Sequence, residues 1–241
     1  LCFSPEFDTQ TGKKSNKESL TPYYKEQAMK IPGDQKHYWD KKATGTTFST
    51  PLDIDIFKAH VSQQATILDI GCGYGRIMDQ LYQQGYSNIT GVDFSWQMVK
   101  QGRSSLPGLD FAQASLALPF RNNSFDAVVL MAVLTCIPND CHQELIMGEI
   151  NRVLKKNGIT YITDFMINTD PRNQERYNRC NRGSYGVFEL DDGAVLRHHS
   201  RDHMGQLTNA FEELMFKETV FTTMHQHRSN GFYYIGKKQG I

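Results

Sequence analysis

Apolar residues fall in short runs separated by polar turns through the middle of this 241-residue chain. Thr66 to Ile70 is one such run, with an aspartate near its end, and reads as a buried parallel strand. A helical period follows, with Ile77, Met78, Leu81 and Tyr82 on one face and Gly85 as its stop. The pattern then predicts strand 88–93, helix 95–104, strand 109–113, strand 125–131, helix 140–155 and strand 159–165. Asp140 is placed to cap the last helix, with Gln143 reaching back. Strands alternating with helices imply an α/β fold, a mainly parallel sheet with helices on both faces.

The pattern changes after Phe165. Tyr185 to His199 reads as a hairpin turning at Asp191-Asp192-Gly193. Ser200 can cap a helix whose face is Met204, Leu207 and Phe211, and Val220–Met224 and Phe232–Gly236 read as closing strands. Ahead of the alternating core, Asp53–His60 is a helical stretch. Three regions result. Residues 1–19 are polar and aperiodic and are expected to be a disordered tail. Residues 20–64 are a helical lead-in or lid. Residues 65–241 form the main domain, with an insertion at about 168–203.

Charge adds a limit. Lysine plus arginine number 26, equal to the 26 aspartates and glutamates. No global field recruits nucleic acid or a membrane surface, so neither is expected as a partner. The five cysteines contain no C-x-x-C pair, and no secretory signal is apparent. Free thiols in a reducing cytoplasm are therefore the expectation. No apolar stretch is long enough to span a bilayer. Oligomeric state is not legible.

The candidate chemistry starts at Ile67 to Arg76, I-L-D-I-G-C-G-Y-G-R. Gly71, Gly73 and Gly75 sit between a strand and a helix, which lets a nucleotide-like ligand lie against bare backbone. Asp93 ends the second strand about twenty residues past that turn, where an acid can take both hydroxyls of a ribose. A carboxylate accepts only, and has two oxygens for a cis-diol. The same acid can serve the positive end of the helix that starts near Ser95. Here the spacing is G-x-G-x-G, with Asp69 two residues before the first glycine. The segment resembles motif I of the class I S-adenosylmethionine-dependent methyltransferases. Three later pieces resemble the same family in order: N-I-T-G-V-D (Asn88 to Asp93), F-A-Q-A-S-L-A-L-P-F with N-S-F-D-A-V-V-L-M (Phe111 to Met131), and E-I-N-R-V-L-K-K-N-G-I-T-Y-I-T-D-F (Glu149 to Phe165).

The resemblance implies a doubly wound, Rossmann-like seven-stranded sheet with an antiparallel last strand. It implies S-adenosyl-L-methionine as cofactor and methyl transfer to a small-molecule acceptor through oxygen, nitrogen or sulfur. Carried over residue by residue, it implies cofactor contacts from Asp69, Gly71, Cys72, Gly73, Arg76, Asp93, Phe94, Met98, Ala114, Ser115 and Met131. Ala114 stands where many members carry an aspartate for the adenine amino group. Gln113, Ser115 or backbone groups must replace it. Arg76 could pair with the methionine carboxylate, or be a solvated arginine.

Methyl transfer is an in-line displacement, and it needs a base only if the acceptor holds a proton it will not lose by itself. Acceptor contacts are therefore sought in the flanks. Tyr24, Tyr38 and Trp39 are aromatics of the lead-in, and Tyr185 and Arg197 belong to the late segment. Arg172, Arg176, Arg179, Arg182 and Arg197 invite an anionic acceptor, although Asp170, Glu175, Glu189, Asp191 and Asp192 balance them. His198 and His199 are adjacent on a strand, so only one faces inward. His199 is chosen as base or anchor because it adjoins the helix start, with His198 the alternative. Asp164 ends the fifth strand and could position an amine acceptor or water, or cap a loop. His225 and His227 share a face but lack a third ligand, so no metal is expected. Competing readings are a cofactor-binding protein without transfer, and a methyltransferase acting on a protein or RNA.

Overall fold

In a computed structural model, residues 33–43, 45, 47–180, 184–224 and 226–239 are described. The expected tail 1–19, the lead-in residues 20–32 with Tyr23 and Tyr24, and His225 lie outside them. One seven-stranded sheet runs in the order β3-β2-β1-β4-β5-β9-β8. Its strands are β1 (Ile67–Ile70), β2 (Ile89–Asp93), β3 (Asp110–Gln113), β4 (Phe125–Met131), β5 (Leu154–Phe165), β8 (Phe211–Thr222) and β9 (Arg228–Lys238). β1 to β5 are parallel, and β9 is antiparallel to both β5 and β8.

The pleat explains the apolar runs. β1 is buried at all four positions because helices cover both faces. Leu68 joins one core with Leu130, Ile146, Ile150 and Phe232. Its neighbour Ile67 joins the other with Met78, Leu81, Val129 and Tyr161, as the period of two requires. Each such side chain contributes roughly 1.5–3 kcal/mol by leaving water.

The helices are α1 (Gly33–Lys42), α2 (Ile54–His60), α3 (Arg76–Gln83), α4 (Trp96–Ser105), α5 (Asp140–Val153), α6 (Pro171–Arg179) and α7 (Arg201–Leu207), with a 3-10 turn at Leu134–Cys136. Side-chain caps start most of them: Asp53 for α2, Ser95 for α4, Asn139 for α5, Asp170 for α6 and Ser200 for α7. The cap of α5 is thus Asn139 rather than Asp140. Between α6 and α7 lies a separate hairpin, β6 (Val187–Glu189) with β7 (Val195–Arg197).

Four expectations change. α5 stops at Val153, and Leu154 already has extended backbone and pairs with Phe125 in the sheet. Phe211 does not continue α7. Thr208 caps that helix through its N–H to Gln206 and Met204 carbonyls, and Phe211 opens β8. β8 is also far longer than 220–224, because an edge strand exposed along most of its length needs no apolar alternation. Cys72, Cys136 and Cys180 are free thiols, but Cys141 is disulfide-bonded, against the expectation of free thiols throughout. No helix among the described residues is long and apolar enough to cross a membrane.

Candidate functional site

The carboxyl ends of β1, β2 and β4 open into a cavity of about 530 Å³, walled further by α1, α6 and the β6–β7 hairpin. Open α/β sheets bind ligands at this edge, and the size suits a small organic ligand. At its floor the chain leaves β1 through the glycine turn. Gly73 has φ +56°, and a Cβ there would stand 3.5 Å from Phe48 and 3.9 Å from the Met98 sulfur. Bare backbone at this point leaves room for a ligand. Gly75, at φ +92°, is the N-cap of α3, and a Cβ on it would meet Phe111 at 2.6 Å.

Two buried carboxylates face the turn. Asp93 is 8% exposed. Its Oδ2 accepts from the Gly73 N–H at 2.9 Å and its Oδ1 from the Ser95 N–H at 2.8 Å. Each oxygen keeps a second lone pair for a diol. Burial pushes its carboxyl up to about 6, and the backbone N–H groups of Ser95 and Gly73 oppose that push. Asp69 is 1% exposed, and its Oδ2 has no hydrogen-bond partner among the described residues. Burial pushes it up to about 8; the nearby Arg76 guanidinium pulls it down and Asp93 pushes it up. An orphaned carboxylate in a cavity wall calls for a cationic or donor group on a ligand. Diol acceptor, orphan carboxylate and bare turn together fit a nucleoside that carries an ammonium group.

Cys72, Phe94, Met98, Ala114, Ser115 and Met131 also line the cavity. Gln113 does not: its Nε2 donates to the Phe94 carbonyl at 2.9 Å. Arg76 lines it too, with its guanidinium donating to the Thr50 carbonyl at 2.6 Å. Tyr38 and Trp39 of α1 close one side. The Tyr38 hydroxyl donates to Asp192 at 3.0 Å, and Lys42 pairs with the same carboxylate at 2.9 Å. Trp39 leans on Phe48, which stacks on Tyr74.

His198 lines the cavity and His199 does not. The Tyr177 oxygen accepts the Asn168 N–H at 3.2 Å, which turns its hydroxyl proton toward His198 Nδ1 at 2.6 Å. The Asn168 amide adds a second donor to Nδ1 at 3.2 Å. Nδ1 is therefore an acceptor, and the neutral ring carries its proton on Nε2. Burial, with Arg176 and Arg172 nearby, pushes the imidazole down to about 3. The neutral ring, one of the cavity's lining residues, thus keeps Nε2–H as its remaining donor.

Four expected acceptor-side residues are corrected. His199 sits in the core, with its Nδ1 donating to the Phe165 carbonyl at 3.2 Å and its Nε2 accepting from Gln143 at 2.9 Å. A parallel bridge between Met166 and His199 holds it beneath the sheet end. Asp164 is fully buried and accepts from the Thr135 and Phe165 N–H groups at 3.1 and 2.8 Å. It caps the 3-10 turn, and burial raises it to about 7 against those bonds. Arg197 is 3% exposed and pairs with Asp140 while donating to the Pro138 carbonyl. Tyr185 is 56% exposed and leans edge-on against Tyr177 outside the cavity.

Thr50, Phe48, Phe188 and Ser229 are cavity residues that sequence reasoning missed. No motif marks them. Phe48 and Thr50 reach the cavity from the segment before α2, Phe188 from the β6–β7 hairpin and Ser229 from the start of β9. Among the described residues, no group of three or more His, Cys, Asp or Glu side chains could hold a metal ion.

Residues 68–162 match a family model described as a methyltransferase domain. The chain is 30% identical over 135 residues to an uncharacterised protein of Methanocaldococcus jannaschii, covering 53% of this chain and 50% of that one. It is 25% identical over 133 residues to the eEF1A lysine and N-terminal methyltransferase of Mus musculus, covering 50% of this chain and 19% of that one. The chain spans about half the length, or less, of the curated relatives it matches. Among solved structures, a SAM-dependent methyltransferase of Methanosarcina mazei superposes with a TM-score of 0.73 at 25% identity, covering 76% of this chain and 97% of that one.

Proposed function

We propose that this chain transfers a methyl group from S-adenosylmethionine to a small molecule bound between Trp39, His198 and α6; the match of residues 68–162 to a methyltransferase-domain model and the likeness to the SAM-dependent methyltransferase of Methanosarcina mazei support this reading. When bound, S-adenosylmethionine would supply an activated methyl on a sulfonium, which the acceptor's lone pair would take as the carbon–sulfur pair leaves with sulfur to give S-adenosylhomocysteine. The carrying observation is that Asp69 and Asp93 lie buried at the glycine turn in one cavity, which extends beyond them to a second, separately built wall.

The chain's own groups then have distinct work. Asp93 takes the ribose hydroxyls, and Asp69 with its orphan oxygen takes the ammonium. The aromatic lining removes water from the reacting centre. His198 donates to the acceptor through Nε2–H and takes no proton from it. The nucleophile therefore arrives unprotonated or gives its proton to water.

The lid favours a small acceptor. Gln35 of α1 donates to the Gly193 carbonyl at 3.1 Å and accepts from the Val195 N–H at 3.2 Å. With Tyr38 and Lys42 on Asp192, α1 and the hairpin tip close over the cavity together. The mouse relative, named for lysine and N-terminal methylation of eEF1A, favours a second reading, a protein acceptor. Release of S-adenosylhomocysteine, screened over small-molecule and lysine-peptide panels, separates the two. Release with peptides alone would replace the small-molecule reading. Calorimetry with no S-adenosylhomocysteine binding would remove both.

A further inference from the structure

The acceptor wall is chemically one-sided. Arg172 and Arg176 are one turn apart on α6 and both line the cavity. Arg176 lies 5.7 Å over the ring of Phe188, and that ring is 4.7 Å from the ring of His198. Arg176 makes no ion pair among the described residues. Among the described residues Arg172 pairs only with Asp170, at 3.9 Å, and that carboxylate also caps α6 by accepting from the Asn173 N–H.

Hydrogen bonding has the same polarity. A guanidinium donates only. The Asn168–Tyr177 pair occupies the one acceptor nitrogen of His198, which leaves Nε2–H. Arg176 and His198 thus stand against Phe188, and Arg172 lines the same cavity one turn earlier on α6. Acids reach the same cavity at the hairpin tip, as Asp191 and Asp192, but Asp192 is already held by Tyr38 and Lys42. Arg176, with no ion pair among the described residues, and Arg172, whose acid is shared with the cap of α6, stand beside a donor and an aromatic face and suit a ligand with an anionic end and an apolar body.

We propose that Arg172, Arg176 and the Nε2–H of His198 form a subsite for the carboxylate or phosphate of the small-molecule acceptor, with the acceptor's apolar body against Phe188. The proposal rests on the methyl-transfer reading only in calling the ligand an acceptor; anion binding stands or falls by itself. Phosphate and carboxylate ask the same chemistry of a guanidinium pair, so the experiment separates them.

The test is calorimetry on the intact chain with three probes of similar shape: benzoate, phenyl phosphate and neutral benzamide. At least one anion is expected to bind about tenfold or more tightly than benzamide, the scale of a single charge-assisted bond. The tighter of the two identifies the group. Arg176→Gln and Arg172→Gln should each weaken that anion about tenfold and leave S-adenosylhomocysteine affinity unchanged. Arg176→Lys, which keeps the charge and loses the fork, should lose less than Arg176→Gln and serves if the glutamine variant does not fold. Equal binding of benzamide, no binding of either anion, or unchanged anion affinity in folded variants would overturn the subsite. Retained anion binding with no S-adenosylhomocysteine binding would overturn the methyl-transfer reading alone.

Discussion

Asp40 of α1 accepts a 2.6 Å hydrogen bond from the hydroxyl of Ser95, across 55 positions of sequence. The same Ser95 donates its backbone N–H to Asp93 and caps α4 by accepting from Met98. The lid is therefore bonded to the loop that positions the diol-binding carboxylate. Its other end, at Gln35, is bonded to the hairpin of the acceptor wall.

Asp40→Ala should loosen α1 without unfolding the domain. The bond is only part-buried, so the stability cost is expected below about 1 kcal/mol. Amide exchange over 33–42 should rise, and S-adenosylhomocysteine affinity should fall several-fold as Ser95 gains freedom. Unchanged exchange and unchanged affinity together would show that the contact positions nothing.

Asp93→Asn should weaken S-adenosylhomocysteine binding by about 1.5–3 kcal/mol, the range of hydrogen bonds to a charged group. The pH dependence has a definite sign. Burial raises the Asp93 carboxyl to about 6, so the ionised acceptor is present above that value and lost as pH falls through it. Calorimetry should show affinity declining below about pH 6 in the parent protein, with that decline reduced in Asp93→Asn.

His198 is held neutral, its pKa pushed from 6.5 down to about 3. The unfolded chain takes up a proton below 6.5 that the folded chain refuses. The stability tied to this residue is thus complete above about 6.5 and drains away as pH falls toward 3. Urea unfolding at descending pH should show this slope, and His198→Gln should remove part of it; His199, also pushed down by burial, keeps the rest. Nitrogen NMR of the parent should find the His198 proton on Nε2. A proton on Nδ1 would contradict the donor assignment.

His199→Ala should damage folding and spare chemistry. It removes one bond each from the Gln143 amide and the Phe165 carbonyl, which keep other partners, and leaves a cavity where the fully buried ring stood, together costing roughly 2–5 kcal/mol. Thermal unfolding should drop accordingly, while S-adenosylhomocysteine affinity per folded molecule stays within about twofold. A selective loss of turnover with Tm unchanged would return His199 to the site.

The core was legible where burial is two-sided. Continuous apolar runs such as Ile67–Ile70 and Ala127–Leu130 report a strand covered on both faces, and the turn residues between them report the carboxyl edge. α6 carried no such signal. Its buried face is Asn173 and Tyr177, so no apolar period marks it, although Asp170-Pro171 has the form of a cap followed by proline at the first helical position. Adjacent histidines follow the alternation rule, but which one faces the cavity depends on the bridge from Met166 to His199. That contact joins segments 33 positions apart, and neither sequence segment announces it.

Among the described residues β8 has no neighbouring strand on its outer side, which leaves a long row of backbone N–H and C=O groups on which another chain could extend the sheet. Glu212, Glu213, Lys217 and Glu218 stand exposed along it, and the register slips between Glu213 and Met215. An incoming strand would have to desolvate charges and match a bulge before it gained a regular ladder. The charged positions that hid β8 from pattern reading thus also raise the cost of adding a strand at this edge.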